Sequence, residues 1–441
     1  MTTSAVDTGL RTVRSVRTVE ARGFSFPWFA ALGCLCLVPN PGVFQTGNFR
    51  IQAVNLVLLL WIVLRIRSVR TRALNAWLLL CIPAVISALV CFSVQLYAVE
   101  TLKLAALWML GTSHLVAGTP RDGKDTVQLL KGISVGILLN FALGVMQVIT
   151  VPRGMYPFWS WNSYGAAETS MIRGLQAGAG MFGVRVFGFF FEPSDLTASI
   201  GHWWLLIAAL RLGLIKSEAF VRFSRSRLCM AALLAGAALM MLSRSGHAFI
   251  VAGGLGVLLV LALLKNTAAT RIRRIPILAV LLVLPMIGVG LYDLGQRVVS
   301  AGPESLMART AFSWDARASS IVESFRVWMD GPSRQFLFGL GYEGVYRIKV
   351  ATGHNIWSVV GKSVLVFGST AILAWLVIVF GALRSIRSSS AVVVGLVFGA
   401  TFGLAILVTT SYETLVSPWL ALALLLSWRY AFGSNRSQYR A

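Results

Sequence analysis

Apolar runs of about 20 residues recur along the whole chain, and they restrict its fold more than any other feature. A backbone in hydrocarbon has no water to bond with, so each such run must satisfy its own N–H and C=O groups as a helix of about 20 residues. The composition agrees, because 57% of the 441 residues are hydrophobic and only 12% are charged. The sequence therefore predicts an all-α polytopic membrane protein.

Hydrophobic periodicity divides the chain into about twelve transmembrane helices. The predicted spans start near residues 24, 49, 74, 98, 132, 195, 228, 247, 275, 355, 390 and 416. They form a single transmembrane domain, residues 24–432, between tails at 1–23 and 433–441. The first tail is basic and lacks a convincing cleavage site, so we interpret it as a cytoplasmic tail and not as a removed signal peptide.

The distribution of Lys and Arg predicts how these helices are oriented. Cytoplasmic loops collect basic residues. Here the tails and the loops after even-numbered spans hold them, for example at 65–72 and 216–227, whereas 40–48, 93–97 and 410–417 contain none. Both termini are therefore predicted to be cytoplasmic. The net charge of +23 does not indicate nucleic acid, because the basic residues form short clusters between apolar runs.

Three predicted outer segments nevertheless contain arginine. They are the loop 152–194, the turn Ser243-Arg244-Ser245-Gly246, and the large loop 293–354 between the ninth and tenth spans. In the large loop we expect amphipathic helices lying along the membrane surface. Exceptions to a strong topological rule are where function is expected to be found.

The outer arginines suit a phosphate or diphosphate, because planar guanidinium groups bind phosphoryl oxygens in bidentate fashion. The candidates are Arg185, Arg244, Arg317 and Arg326. An alternative for Arg244 is a side chain that snorkels to the lipid headgroups. The sequence has no Asp-x-Asp motif to hold a metal, so we expect arginine and not magnesium to neutralise the diphosphate. No cofactor is predicted.

Two further residues are candidates for proton transfer. Glu192 follows three phenylalanines, so its carboxylate should be partly desolvated and able to act as a base. The alternative is a salt bridge to Arg185. His354 begins an apolar run, and the alternative for this lone histidine is a hydrogen-bonded structural role.

Four short motifs follow one another on the predicted outer side: Arg185-Val-Phe-Gly-Phe-Phe-Phe-Glu192-Pro193-Ser194, Met-Leu-Ser243-Arg244-Ser, Phe338-Gly-Leu-Gly341-Tyr and His354-Asn355. In order, spacing and membrane side they resemble the bacterial O-antigen polymerase and ligase superfamily. The resemblance implies a GT-C-like glycosyltransferase fold. The Phe-Glu-Pro-Ser form of the first motif is more similar to capsule and exopolysaccharide polymerases than to ligases.

The resemblance also implies an activity. The donor would be an undecaprenyl-diphosphate-linked oligosaccharide on the outer face of the bacterial plasma membrane, with a flippase and a chain-length regulator as further partners. The acceptor would be another lipid-linked repeat unit in a polymerase, or a lipid A core sugar or protein side chain in a ligase. Arg244 and the other arginines would hold the diphosphate. Either His354 or Glu192 would accept the proton of the acceptor hydroxyl, with inversion at the anomeric carbon.

Aromatic residues in the outer loops are candidates for stacking on sugar rings. They are Trp159, Trp161, Tyr164, Trp314 and Tyr342. The alternative is that they anchor the protein at the membrane interface, which is the ordinary role of such residues.

Two other classes of function stay open. A transporter for lipid-linked saccharides would also need many spans and arginines for an anionic substrate, but it usually carries ionisable residues at the bilayer midplane. Glu100, Lys103 and Lys362 are the clearest such residues. A scaffold protein would use the large outer loop as a docking surface.

Overall fold

The described part of the chain is a helical bundle with one small β-hairpin. The computed structural model describes residues 28–38, 42–46, 49–52, 58, 62, 71–93, 97–151, 186–190, 193–215, 217–243, 245–265, 319, 321–352, 356, 358–408 and 416–432. The elements are α1 Trp28–Leu35, β1 Gly42–Thr46, β2 Phe49–Gln52, α2 Thr71–Ser93, α3 Ala98–Thr112, α4 His114–Gly118, α5 Gly123–Thr150, α6 Pro193–Arg211, α7 Glu218–Ser224, α8 Arg227–Ser243, α9 His247–Lys265, α10 Ser333–Phe338, α11 Tyr342–Thr352, α12 Val359–Phe367, α13 Ser369–Arg387, α14 Val392–Val408, α15 Val416–Leu426 and α16 Trp428–Phe432.

Four of these helices are long and apolar enough to cross a membrane, namely α2, α5, α9 and α13. Their outward faces are apolar. On α13, Leu373, Leu376, Val377 and Phe380 are all exposed, Phe380 at 74%, and their spacing puts them on one helical face. Water-soluble proteins rarely expose such a stripe, so the protein is membrane-embedded.

Helix α6 has the opposite character and lies in the interior of the bundle. Every described residue from 194 to 210 is buried. Close contacts fix its neighbours: a Cβ at Gly201 would collide with Val251 of α9, and Gly254 of α9 faces Leu205. Residue numbers increase in the same direction along both helices at this contact. Helices α6 and α9 therefore run parallel and begin at the same end of the bundle.

Most helix starts agree with the sequence prediction. Helices begin at 71, 98, 193, 227, 247, 392 and 416, within about three residues of predicted starts. Helix α5 begins earlier than the predicted start near 132, because the Asp122 carboxylate accepts hydrogen bonds from the Lys124 and Asp125 N–H groups and caps the helix at Gly123. The ninth span, predicted near 275, lies outside the described residues, and the total of about twelve stays a prediction.

Two regions differ from the prediction. Where a second span was expected near 49, strands β1 and β2 pair antiparallel with Thr46 opposite Phe49. The two intervening residues, Gly47-Asn48, are a hairpin sequence that the all-α prediction overlooked. Where one span was expected from 355, the short α12 ends at Gly368, whose φ is +75°, and the spanning α13 begins at the next residue. A Cβ at Gly368 would collide with the Leu337 carbonyl, so this close approach requires glycine.

Candidate functional site

Most of the predicted site residues lie outside the described part of the chain. These are Arg185, Glu192, Arg244, Arg317, His354, Trp159, Trp161, Tyr164 and Trp314. Their assigned roles stay predictions. The described residues next to several of them, together with Arg326 and Tyr342, establish what surrounds the predicted site.

The non-helical segment 186–190, which follows Arg185, is held by a glutamine of α5. The Gln147 side-chain oxygen accepts hydrogen bonds from the N–H groups of Phe187 and Gly188 at 3.2 and 3.0 Å. Its amide nitrogen donates to the Gly188 carbonyl at 2.8 Å. Non-helical backbone at membrane depth needs such partners because lipid supplies none. Gln147 therefore stabilises the non-helical conformation of residues 186–190.

Asn140, two turns earlier on the same face of α5, holds the next residue of this segment. Its side-chain oxygen accepts from the Phe189 N–H at 3.0 Å, and its nitrogen donates to the carbonyls of Leu37 and Gly136. Gly188 has a φ of +58°, and a Cβ there would collide with Asn140. Neither amide was predicted from the sequence as a site residue. Their signal was two polar residues seven apart within residues 135–149, a stretch of the helix that is otherwise apolar or glycine.

The first two motifs meet at the end of α8. The Val186 N–H donates to the Leu242 carbonyl at 3.1 Å. One turn into α6, the hydroxyl groups of Thr197 and Ser243 lie 3.2 Å apart, and both residues are buried. The two residues that precede Arg244 are thus packed against the segments on either side of Glu192.

A buried group of polar side chains occupies this meeting point, and we refer to it as the polar cluster. Its members are Ser194, Asp195, Thr197, Ser243, Ser245 and His247, each at most 8% exposed. The Ser245 hydroxyl accepts a hydrogen bond from the His247 N–H at 3.3 Å. In a membrane protein, a buried polar group of this size indicates a functional site.

Two helix N-termini converge at the polar cluster, because α6 and α9 run parallel and start beside each other. The N-terminal end of a helix carries a partial positive charge and unsatisfied N–H groups. Two such ends, together with hydroxyl donors, favour negative charge between them. Asp195, in the first turn of α6, already places one carboxylate there. The arrangement can accommodate an anionic group.

Contacts between parallel helices place the starts of α6, α13 and α15 at one end of the bundle. The Ser417 hydroxyl at the start of α15 donates to the Ser199 carbonyl of α6 at 3.0 Å. On α13, Trp375 lies about two turns after the first residue of the helix. Its ring stacks on the ring of Trp419, near the start of α15, with centroids 6.3 Å apart. The three helices therefore begin at the end of the bundle that holds the polar cluster.

Parts of the predicted large outer loop pack at this same end. The Ser369 hydroxyl at the start of α13 donates to the Leu337 carbonyl of α10 at 3.4 Å. Arg334, also in α10, donates to the Ser93 hydroxyl at the end of α2 at 2.7 Å. The sequence assigned Ser93 and 293–354 to the same side of the membrane, and the structure places them together. Which side this is stays a prediction.

The third motif forms a tight junction between chain segments. The N–H groups of Leu340 and Gly341 donate to the carbonyls of Leu365 and Val366 at 2.9 and 3.1 Å. Gly339 has a φ of +82°, and a Cβ there would collide with the Val366 carbonyl. The glycines of this motif thus have a backbone role, which sequence analysis did not assign.

Arg326 is the one predicted diphosphate ligand that the structure describes. Its side chain is 71% exposed and lies 3.8 Å from Glu323 and 3.7 Å from Asp330, both on the same helical segment. Such exposed pairs contribute little stability. The guanidinium group is therefore shared between neighbouring carboxylates, and its proposed contact with diphosphate stays a prediction.

The interior also contains a histidine that sequence analysis did not single out. His202 of α6 is 2% exposed, and its Nδ1 lies 3.0 Å from the Ala198 carbonyl. A carbonyl only accepts, so in the neutral ring Nδ1 carries the proton and Nε2 has a lone pair. No described residue bonds to Nε2. The rings of Trp203, Phe398 and Phe402 surround the imidazole at centroid distances of 5.3, 5.3 and 5.8 Å.

No group of three His, Cys, Asp or Glu side chains within the described ranges could hold a metal ion. Comparisons of the chain with protein families, with curated proteins and with solved structures find no match. The functional assignment therefore depends on the residues themselves and on the arrangement just described.

Proposed function

We propose that the protein is a polysaccharide polymerase that transfers a glycan from undecaprenyl diphosphate to another lipid-linked repeat unit on the outer face of the plasma membrane. One observation carries this proposal: two neighbouring helix N-termini and the buried polar cluster lie at the points where Arg244 and Glu192 occur in the sequence. This is suitable chemistry for a diphosphate in a low-dielectric interior.

In the proposed reaction the acceptor hydroxyl oxygen attacks the anomeric carbon of the donor sugar. The bond from that carbon to the diphosphate oxygen breaks, and undecaprenyl diphosphate leaves with both electrons. Arg244, with one or more of Arg185, Arg317 and Arg326, offsets the charge that develops on the leaving group. The proton of the acceptor passes to Glu192 or His354. Direct displacement inverts the anomeric configuration.

The topology of the proposal is that of a GT-C-like enzyme with about twelve spans, cytoplasmic termini and a large outer loop at 293–354. It is supported by the helix starts that agree with the sequence and by the position of α10 and α11 at the end of the bundle that holds the polar cluster. An O-antigen ligase would share the same donor and differ in its acceptor. The Phe-Glu-Pro-Ser motif favours the polymerase.

A transporter of lipid-linked saccharides is the second candidate, and His202 favours it. A buried imidazole with an open lone pair, midway along α6, is typical of sites that bind a proton inside a membrane. Glu100, Lys103 and Lys362, which the sequence suggested for this role, are only partly buried. The two candidates predict different effects of substitution, because transport would depend on His202 and transfer on Arg244.

The test is to delete the gene in its host and to complement it with the wild type, Arg244→Ala, His354→Ala, Glu192→Ala and His202→Gln. Arg222→Ala is the matched control, because Arg222 is exposed on α7. Surface polysaccharide and lipid-linked intermediates are separated on gels, and expression of each variant is measured. If the protein is a polymerase, single repeat units accumulate in the deletion strain, and complementation with Arg244→Ala does not restore the polymer.

Two other results would redirect the assignment. Long lipid-linked chains that fail to reach their final acceptor indicate a ligase. Full restoration by Arg244→Ala and His354→Ala, with loss of function in His202→Gln, excludes the proposed transfer mechanism and favours transport.

A further inference from the structure

Three tyrosines form an exposed cluster where α3 begins beside α11, and we refer to it as the tyrosine cluster. The ring centroids of Tyr97 and Tyr342 are 5.8 Å apart, and those of Tyr97 and Tyr346 are 6.1 Å apart. Tyr97 is 39% and Tyr346 50% exposed. The cluster joins two segments that are far apart in sequence and were both predicted to be on the outer side.

The backbone holds these rings in place from both segments. Tyr97 has a φ of +45°, and it is the single non-glycine residue with positive φ among those the structure describes. A bulky residue adopts this conformation only where its surroundings enforce it. The Tyr342 N–H donates to the Thr101 hydroxyl at 3.0 Å, and Gly341 approaches Thr101 too closely to allow a side chain. The two segments are thus fixed to each other.

The chemistry of the surface is amphipathic and not simply apolar. None of the three phenol hydroxyl groups has a hydrogen-bond partner in the described residues. Beside the rings, the Arg347 Nε donates to the Glu343 carboxylate at 3.0 Å. Aromatic faces carry partial negative charge, which suits the C–H face of a sugar ring. The phenol hydroxyl groups and the ion pair suit the hydroxyl groups of the sugar.

We propose that the tyrosine cluster binds the oligosaccharide portion of a lipid-linked repeat unit. What that oligosaccharide is depends on the proposed function, but the binding itself requires no diphosphate. Tyr97 follows the end of α2 in the chain, and α10 contacts both the end of α2 and the start of α13. The tyrosine cluster is therefore at the same end of the bundle as the polar cluster. The competing occupant is a lipid headgroup, since tyrosines also anchor proteins at membrane interfaces.

The experiment uses the full chain in lipid nanodiscs. The probe is soluble oligosaccharide prepared by acid hydrolysis of the host's own surface polysaccharide, and its affinity is measured by titration and by saturation-transfer NMR. The test variant is Tyr97→Leu with Tyr346→Leu. The conservative variant is Tyr97→Phe with Tyr346→Phe. The control is Phe92→Leu, because Phe92 is 68% exposed at the end of α2 and is an equivalent interfacial ring.

Loss of two stacking rings should weaken binding roughly tenfold or more, because each ring contributes about threefold to tenfold. The phenylalanine variant should bind within about fivefold of the wild type because it keeps the rings and loses two hydroxyl groups. Phe92→Leu should bind as the wild type does.

Several results would overturn the proposal. They are wild-type protein that does not bind the oligosaccharide, a leucine variant that binds it as well as the wild type, and a Phe92→Leu variant that loses as much affinity. The proposed function fails separately, when Arg244→Ala restores polymer. Oligosaccharide binding that depends on the tyrosines would then still stand.

Discussion

Helices α6 and α13 have the same length of 19 residues, yet they are built in opposite ways. Along α13 the stripe of Leu373, Leu376, Val377 and Phe380 faces outward, and the opposite face, which includes Ala371 and Trp375, is buried. Along α6 the polar residues Asp195, Ser199 and His202 are buried with the tryptophans. The difference separates a helix that faces lipid from one that lies in the polar interior of the bundle.

This contrast explains why α13, and not α6, is apolar enough to be a candidate membrane span. Helix α13 is among the four candidate spans, whereas α6 is not, although it is the more deeply buried. Lipid selects for apolar side chains, but the interior of a bundle tolerates polar ones when they are bonded. The polar residues of the interior should therefore be sensitive to substitution, and the outward face should not.

Gln147→Leu should have the largest effect. It removes three hydrogen bonds to segment 186–190 and leaves their backbone partners buried. Each such group costs about 1–3 kcal/mol when unsatisfied, so the free energy of unfolding should fall by at least roughly 3 kcal/mol and polymer should disappear. Gln128→Leu, on the same helix and without a described hydrogen bond, is the control. Thermal unfolding in detergent measures both, and equal midpoints would refute the role of Gln147.

Gly339→Ala should come next. The positive φ and the collision with the Val366 carbonyl predict a loss of about 2–3 kcal/mol. Gly253→Ala is the opposite control, because a Cβ at Gly253 meets nothing within 4 Å and a helical alanine is favoured by up to about 1 kcal/mol. Unfolding midpoints that shift in opposite directions for the two variants would support the tight backbone junction between Gly339 and Val366. A shift of the same size and sign in both would contradict it.

Thr197→Val should change function more than stability. A hydrogen bond between helices in a membrane contributes on average about 0.6 kcal/mol, so unfolding should change little. Polymer yield should fall severalfold because a hydroxyl group leaves the polar cluster. Thr401→Val is the control, since the Thr401 hydroxyl bonds to carbonyls of its own helix. Gel analysis of complemented strains measures the yield, and equal yields would remove Thr197 from the site.

Phe380→Ala should have the smallest effect. The side chain is 74% exposed on the lipid-facing stripe of α13, and surface changes of this kind usually stay within about 0.5 kcal/mol. Both the unfolding midpoint and the polymer yield should match the wild type. A large loss in either would mean that this face contacts another protein and not lipid.

The positions of helices that face lipid could be predicted from the sequence, but the contacts inside the bundle could not. Helix starts near residues 227, 247 and 416 followed from apolar runs, because each run must form its own helix. The partners of segment 186–190 did not follow, since Asn140 and Gln147 act on a stretch about 40 residues away. The break at Gly368 was missed for the same reason: its cause is the approach of Leu337, which no local pattern encodes.

We interpret the polar interior that begins at α6 as part of a site for a diphosphate. The most direct test uses purified protein in lipid nanodiscs, with lipid-linked repeat units extracted from the deletion strain. Chain extension and release of undecaprenyl diphosphate are followed together for the wild type, Arg244→Ala and Arg222→Ala. We predict that the wild type and Arg222→Ala extend chains with one diphosphate released per linkage, and that Arg244→Ala does neither. Extension by Arg244→Ala at the wild-type rate would contradict the account.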